Sequence, residues 1–561
     1  MSARLPTQGR LINRDRPVTF KFNGKLLEGC QGDTLASALL ANGQTLMGRS
    51  FKYHRPRGVV ASGSEEPNAL FNLGTGDTLE PNQRATTTEI FHGLNATSQN
   101  HFPSLEYDIG VVNNILARFL PAGFYYKMFI HPRPFWKYIY EPFIRHSAGL
   151  GKAPDHEARD PDRYEHFYAF TDVLVIGGGV AGLQAATSAA QTGAKVLLLE
   201  QTPHWGGRTP VDGGTIDGQD AEAWITETVN ALQDMPNVTI RTRTMGAGVY
   251  DHGYVLGYER LTDHTPDTPG PRHRLWRIRA AQVITATGAI ERPLSFAGND
   301  IPGVMLASAV RDFAINYGIS PGDRTVVVTN NDDAYRTAIA LAQAGLKVPA
   351  IVDARPEGGG ALMADAKDFG IKVHLGSAVV KAKGAKELHS VLIGPQDGDG
   401  SETTEVFCDA VAMSGGWSPV VHLWSHCGGK LIWDEAQAAF RPDHDKAPTS
   451  HDGAPFVIPT GTADGEMYLD AVLQNAAKAG QTAAARTGAK AGSDAAPTAD
   501  APDETPMAPI WLMPSNAPQK LRAKAWLDYQ NDVKVSDVQL AAQEGFESVE
   551  HTKRYTTLGM A

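Results

Sequence analysis

Cysteine is scarce in this chain. Its 561 residues include three, Cys30, Cys408 and Cys427, and no two stand close together. That spacing excludes a disulfide scaffold and any CxxC zinc or redox motif, and it suits a reducing cytoplasm. Long apolar runs are also missing. No stretch nears the roughly 20 residues needed to span a bilayer, and no signal-peptide core opens the chain, so a cytoplasmic protein without membrane association is expected. Positive charge is in deficit: the formal net charge is −11, which argues against a general nucleic-acid binder. The deficit is uneven, because residues 1–60 carry ten Lys/Arg against three acids. Such a face suits an acidic partner or is simply solvated. No Ser/His/Asp, Cys/His or metal-ligand constellation has useful spacing, so no catalytic residue and no metal ligand is assigned. His101, His131, His146 and His204 read as surface or packing residues, and Cys408 as a buried core thiol.

What the chain does have is length for about three or four domains and one sharp motif. Asp172–Ile176 is an apolar, buried-type strand. Gly177-Gly178-Gly179-Val180-Ala181-Gly182-Leu183 follows, then a helix-prone stretch to Gln191, then a second apolar strand, Lys195–Leu199, ending in Glu200. This is the strand–GxGxxG–helix–strand–acid pattern of a dinucleotide site. Gly177 permits the tight turn, Gly179 lets backbone approach a pyrophosphate, and Gly182 lets helix and strand pack closely. The helix N-terminus offers free N–H groups to the phosphates, and Glu200 is placed for a ribose.

Upstream, residues 17–47 read as a small β-grasp-like unit. Pro17–Phe22 alternates as a strand, Asn23-Gly24 signals a hairpin turn, and Asp33-Thr34 can cap a helix from Leu35 to Ala41. Ser50–Gly58 is a basic, aromatic loop, and residues 59–165 read as mostly irregular. Within them, residues 119–143 are dense in aromatics, Phe119, Tyr125, Tyr126, Phe129 and Trp136 among them. Prolines 121, 132, 134 and 142 forbid one helix there, so an extended arm over another surface is expected. Downstream, Ala281–Gly288 is a strand ending in an Ala-Thr-Gly turn. A second βαβ unit runs from Arg324–Val328 through Ala334–Ala344 to Val348–Val352 and Asp353. Its turn, Thr329–Ala334, has no fingerprint glycine, and Asp332 and Asp333 would repel a pyrophosphate. They read as helix-capping or solvated, and this half is expected to keep the fold with a weak or absent nucleotide site. Residues 486–508 read as a flexible linker. A last helical piece is expected from Ser536, as N-cap, through Tyr555.

Arg10–Arg16, Gly32–Asn42, Arg49–Gly58, Gly63–Ala69, Leu120–Lys127, Ser414–Pro419 and Lys553–Thr557 resemble the alpha subunits of heterotetrameric sarcosine oxidase, and the resemblance spans essentially the whole chain. It implies oxidative demethylation of sarcosine to glycine, with O2 reduced to H2O2. It further implies NAD in this chain, in the site an FAD fills in related reductases. FMN would lie at the interface with a beta subunit, and FAD and the amine oxidation on that beta subunit. Gamma and delta subunits would complete the complex. The family's alpha subunit runs on into an aminomethyltransferase-like folate domain where this chain ends, at Ala561, so the chain is expected to be truncated or the folate half separately encoded. Tetrahydrofolate is then expected only if a separate folate domain is present. The N-terminal unit resembles [2Fe–2S] ferredoxin-like domains and residues 526–561 a small helical cluster-binding domain. Cys30 is the one cysteine of the former and the latter has none, so no cluster is expected.

The expected fold is α/β: a two-dinucleotide-binding-domain (Rossmann-like, reductase-type) core over 168–490, whose second half is inserted at about 322–400. A degenerate ferredoxin-like (β-grasp) domain occupies 1–100, an extended aromatic arm and linker 101–167, a flexible linker 491–510, and a small C-terminal helical segment 511–561. For NAD, the candidates are Gly177, Gly179, Ala181 and Gly182 at the turn, and Glu200, Gln201 and Thr202 near the adenosine ribose. Gly207 and Arg208 follow, the latter as a phosphate partner or a plain surface arginine. Ala247 would touch adenine by backbone or be a plain core alanine. Gly461, Glu466 and Tyr468 would face the cofactor's middle. Other readings are a self-sufficient FAD-dependent pyridine-nucleotide oxidoreductase, a subunit of an opine or amino-acid dehydrogenase, and a structural scaffold.

Overall fold

The computed structural model describes residues 3–127, 131–146, 151–490, 492, 495–500 and 504–560. Phe129 lies outside the described residues, as do the side chains of Tyr125, Tyr126 and His146. The chain divides into two compact units. One comprises Met1–Pro161, Arg292–Gly416 and Glu504–Ala561, the other Asp162–Glu291 and Trp417–Asp503. The span expected as one 168–490 core is thus shared between them.

In the first unit, Asn13–Phe22 and Lys25–Gln31 form an antiparallel hairpin. Asn23 and Gly24 turn it with φ of 48° and 79°, the left-handed pair that suits a tight hairpin. Thr34 caps the helix Leu35–Ala41 by accepting from the Ser37 N–H at 3.1 Å. Residues 59–165 are less irregular than expected. Leu70–Leu73, Glu80–Arg84 and Asn95–Ser98 join the hairpin in a five-stranded sheet, over a core holding Phe20, Leu35, Leu39 and Phe71. Buried Glu66 ties the preceding loop by accepting from the N–H groups of Val60, Ala61, Asn68 and Ala69 at 2.7–3.0 Å.

The basic loop is neither solvated nor open to a partner at its centre. Buried Arg57 pairs with both Asp300 and Asp532, and Arg55 pairs with Asp300 at 2.7 Å. Asp532 also accepts from the Lys52 and Tyr53 N–H groups at 2.9 and 3.2 Å. The Trp526 ring lies 4.7 Å from the Arg55 guanidinium and 4.9 Å from that of Arg57, close enough for cation–π attraction. Three distant stretches of chain close on one another here.

The expected extended arm is helical instead. Arg133–Phe135, Trp136–Tyr140 and Glu141–His146 follow one another, the middle piece wound as a π-helix. Pro134 is tolerated because it stands in the first turn, where a missing N–H costs nothing, and Pro142 follows directly on the π-helical piece. At the C-terminal end, two helices replace the single expected piece. Val535–Gln543 starts at Lys534, whose N–H donates to Asp537 at 3.1 Å, and Val549–Thr556 starts at Ser548. Gly545, at φ 86°, breaks them apart.

This unit also holds five parallel strands in the order Val304–Leu306, Ala410–Ser414, Thr325–Thr329, Ala350–Asp353, Lys372–His374. The second unit builds the other nucleotide-type sheet. Val238–Arg241, Val196–Leu199, Tyr164–Ile176, His273–Thr285 and Val457–Pro459 run parallel in that order. Thr244–Tyr250 and Tyr254–Arg260 extend it antiparallel. Helix Leu469–Arg486 crosses helix Val180–Ala190 at Gly480, where a Cβ would lie 2.3 Å from the Ala185 carbonyl oxygen.

Part of the expected flexible linker is ordered. In the second unit, the Asp217 N–H donates to the Thr498 carbonyl and the Thr498 N–H to the Asp217 carboxylate, each at 2.8 Å, and Ala499 bridges to Ile216.

Candidate nucleotide site

The fingerprint turn divides its glycines between two duties. Gly177 ends its strand at φ 110°, and a Cβ there would lie 2.1 Å from the Ala286 carbonyl oxygen, so only glycine fits. A Cβ on Gly182 would lie 1.8 Å from the Gly177 carbonyl oxygen. These two close the turn. Gly179 is different: a Cβ on it would meet only the Gly207 Cα, at 3.9 Å. Gly179 bridges to Gly206, whose N–H donates to the Gly178 carbonyl at 2.8 Å. Two glycine stretches therefore lie against each other, a Cβ on Gly207 falling 3.1 Å from the Gly179 Cα, and leave bare backbone beside the helix start. No side chain caps the helix beginning at Val180, so its first N–H groups are available to an anion. These residues fit a diphosphate.

Glu200 closes one side. It is buried, and its two carboxylate oxygens accept from the Gly178 and Thr202 N–H groups, each at 2.7 Å. Burial pushes its carboxyl above the ordinary range, against the pull of those two bonds. Lone pairs remain on both oxygens for hydroxyl donors such as a ribose. Gln201 lends its carbonyl to Arg260 at 3.1 Å, and the Thr202 hydroxyl donates to the His204 carbonyl at 2.8 Å.

Arg208 is not a plain surface arginine. It pairs with Asp212 at 2.9 Å and stacks 5.2 Å from the Trp417 ring centroid, so a phosphate would compete with Asp212 for it. Nor is Ala247 a core alanine. Pairing steps from Gly246↔Gly257 to Gly248↔Leu256, which leaves Ala247 as the extra residue of an exposed β-bulge. Gly461, at φ 63°, meets the start of the fingerprint helix: a Cβ on it would lie 2.6 Å from the Ala181 Cβ. The Glu466 N–H donates to the Gly461 carbonyl at 3.2 Å, and half-exposed Tyr468 precedes helix Leu469–Arg486.

The structure thus gathers Gly177, Gly179, Ala181, Gly182, Glu200, Gly207 and Gly461. The other candidates flank them along the chain: Gln201 and Thr202 beyond Glu200, Arg208 beyond Gly207, Ala247 at its bulge, and Glu466 and Tyr468 beyond Gly461. Sequence reasoning missed Trp205, whose ring would lie 2.5 Å from a Cβ on Gly178, although it stands beside Gly206-Gly207. It also missed Asn475, which accepts from the Gly461 N–H at 2.9 Å and has no local sequence signal.

The second nucleotide fold is arranged differently. Asp332 precedes helix Asp333–Gln343 without capping it by side chain. It is buried, pairs with Arg355 at 2.5 Å, and accepts from the Gly359 and Thr505 N–H groups at 2.7 and 2.6 Å. Asp333 takes Arg311 at 3.0 and 3.1 Å. Neither aspartate is solvated, because arginines on neighbouring elements supply the opposite charge. Residues 504–510 run across the strand ends. Arg355 donates to the Thr505 and Pro506 carbonyls at 3.2 and 3.1 Å, and Asn330 to the Ala508 and Ile510 carbonyls, both at 2.9 Å. A piece of the chain itself fills the strand-end crevice where such a fold receives a nucleotide.

Residues 171–437 match the pyridine nucleotide-disulphide oxidoreductase family, residues 15–101 a 2Fe-2S iron-sulfur cluster binding domain, and residues 522–561 the sarcosine oxidase A3 domain. Across all of its length the chain is 44% identical to sarcosine oxidase subunit alpha of Rhizobium meliloti (strain 1021) and 37% identical to that of Corynebacterium sp. (strain P-1). The chain is a homologue of sarcosine oxidase alpha subunits. It spans about half the length of these relatives, 54% and 53%. Among solved structures, L-proline dehydrogenase from P. horikoshii shares the fold, with a TM-score of 0.65 over 99% of this chain and 90% of that one, at 19% identity.

The 2Fe-2S match can be tested on this homologue's own residues. A cluster needs four ligands, usually thiolates, and residues 15–101 hold one cysteine, Cys30. The basic loop is committed to the Arg55–Arg57 ion pairs, and Trp526 and Asp532 of the C-terminal segment complete them. These residues do not fit a cluster. Burial pushes the Cys408 thiol up to about 12 and that of Cys427 up to about 11, so both are inert. Among the described residues, no group of three His, Cys, Asp or Glu could hold a metal ion, and no helix is long and apolar enough to cross a membrane.

Proposed function

We propose that this chain is the nucleotide-binding alpha subunit of a sarcosine oxidase-type complex, which oxidatively demethylates sarcosine to glycine and reduces O2 to H2O2. The side-chain-free glycine backbone at Gly177–Gly179 and Gly206–Gly207, set at the uncapped start of helix Val180–Ala190 beside Glu200, is the observation that carries the chain's own part. It suits a dinucleotide diphosphate and ribose, and NAD is the nucleotide proposed here. When bound, NAD could supply hydride chemistry, and the role proposed for it in this chain is structural. The amine oxidation is assigned to a beta subunit carrying FAD, with FMN at the interface between beta and this chain. Gamma and delta subunits complete the assembly, and tetrahydrofolate enters only with a separate folate domain. A self-sufficient FAD-dependent reductase would use the same glycine turn for flavin. Against it stand the absence of a CxxC pair and the second crevice filled by residues 504–510.

The test is to denature the purified chain and identify any released nucleotide by mass spectrometry. Colourless protein releasing NAD is expected. Yellow protein releasing FAD would replace this reading with the flavoenzyme.

A further inference from the structure

The turn that brings Gly461 to the fingerprint helix is held from behind by one amide. Asn475, in the second turn of Leu469–Arg486, accepts at Oδ1 from the Thr460 hydroxyl at 2.6 Å and from the Gly461 N–H at 2.9 Å. Its Nδ2 donates to Asp464 Oδ2 at 3.0 Å. Both ends of the amide are used, which leaves it one orientation. Asp464 carries the link onward, its Oδ1 lying 2.8 Å from His444 Nε2, with the Asp464 side chain 7% and the His444 ring 55% exposed. Gln437 donates to the Gly465 carbonyl at 2.6 Å, so the turn is tied at both ends. A Cβ on Gly461 would already lie 2.6 Å from that of Ala181. The turn has no slack on the helix side, and a small slip of 460–465 is felt where the helix N–H groups meet a diphosphate.

We propose that Asn475 is a positioning residue of the nucleotide site, and that His444, acting through Asp464, sets how firmly it holds the turn. The inference rests on the reading of the glycine turn and helix start as a dinucleotide site. The groups around His444 fix the sign. The Asp464 contact raises its pKa above the ordinary imidazole value, partial burial and Arg441 oppose this, Asp443 adds to it, and the Trp424 ring packs edge-on at 6.4 Å. A raised imidazole keeps its ion pair in full below about pH 6.5 and loses it as pH rises through the folded-state value. Firmness of the turn, and with it nucleotide affinity, falls with rising pH.

The experiment is calorimetric titration of the full chain, freed of nucleotide, with NAD from about pH 5.5 to 8.5. Hydrogen exchange at the 460–465 amides is followed in parallel. Asn475→Ala is expected to bind about tenfold more weakly, with faster exchange in the turn and a flat pH profile. His444→Gln, which leaves Asn475 in place, is expected to flatten the profile while retaining the affinity that the wild-type chain shows at high pH. Asn475→Ala binding as the wild type does, or His444→Gln keeping the wild-type slope, overturns the inference alone. Should Asn475→Ala fail to fold, the His444→Gln slope decides. A wild-type chain that takes up no NAD at any pH overturns the nucleotide reading and this inference together.

Discussion

At the scale of single residues, the fingerprint glycines separate stability from binding. Gly182→Ala places a methyl 1.8 Å from the Gly177 oxygen, so helix and strand must part. A loss on the order of 3 kcal/mol is expected in urea titration. Gly179→Ala sits at φ −68°, which any residue adopts, with its nearest neighbour at 3.9 Å. It should fold normally and lose NAD affinity at least about tenfold, roughly 1.4 kcal/mol, because the methyl stands where a diphosphate would approach the backbone. Equal affinity in Gly179→Ala would remove Gly179 from the nucleotide site. These glycines were legible in the sequence because their reasons are local to one turn. Asp332 and Arg208 were not, because Arg355, Thr505 and Trp417 reach them from elsewhere in the chain and change what their charges mean.

At the scale of elements, the short strands Leu70–Leu73, Glu80–Arg84 and Asn95–Ser98 escaped notice for a physical reason. They are four or five residues long and partly polar, so no alternation marks them, and only pairing with the hairpin makes them strands. The clasp of Arg55 and Arg57 with Asp300 and Asp532 was equally hidden. Its worth can be measured. Asp532→Asn leaves buried Arg57 short of one counter-charge, and such losses cost about 3–5 kcal/mol. Limited proteolysis should then cut the 522–560 segment before the rest, and wild-type resistance there would show that the clasp does not hold it. The clasp also has a pH signature. Burial pushes the Asp300 carboxyl up, but Arg55 and Arg57 outweigh it and hold the pKa below the usual carboxylate range. Asp300 therefore adds stability above its unfolded-state value, about 3.9, and loses it as pH falls through the lower folded value. Acid unfolding should set in below about pH 4 and start at higher pH in Asp532→Asn.

At the scale of the whole molecule, two nucleotide-type folds are present, and the chain's own residues 504–510 lie along the strand ends of the second. Titration with NAD should saturate at one equivalent per chain, and neither NADH nor NADPH should add a second. Two equivalents would mean that residues 504–510 leave the second crevice. The α/β class and both βαβ units were legible, because hydrophobic runs and terminal acids survive even where the fingerprint is lost. The grouping of residues 292–416 with the N-terminal segment and residues 504–561 was not, since it depends on contacts between stretches far apart in the chain.

The clasp also bears on how the protein is made. Arg57 and Asp532 are 475 residues apart. A ribosome adding 5–20 residues per second needs on the order of half a minute or more to travel that far. During that interval Arg57 has emerged but its second carboxylate has not yet been synthesised, while every residue of the 162–291 and 417–503 unit appears before Asp532. That unit can reach its final form during elongation. The unit built from three separate stretches closes last, and a nascent chain released early would carry the basic loop exposed to solvent.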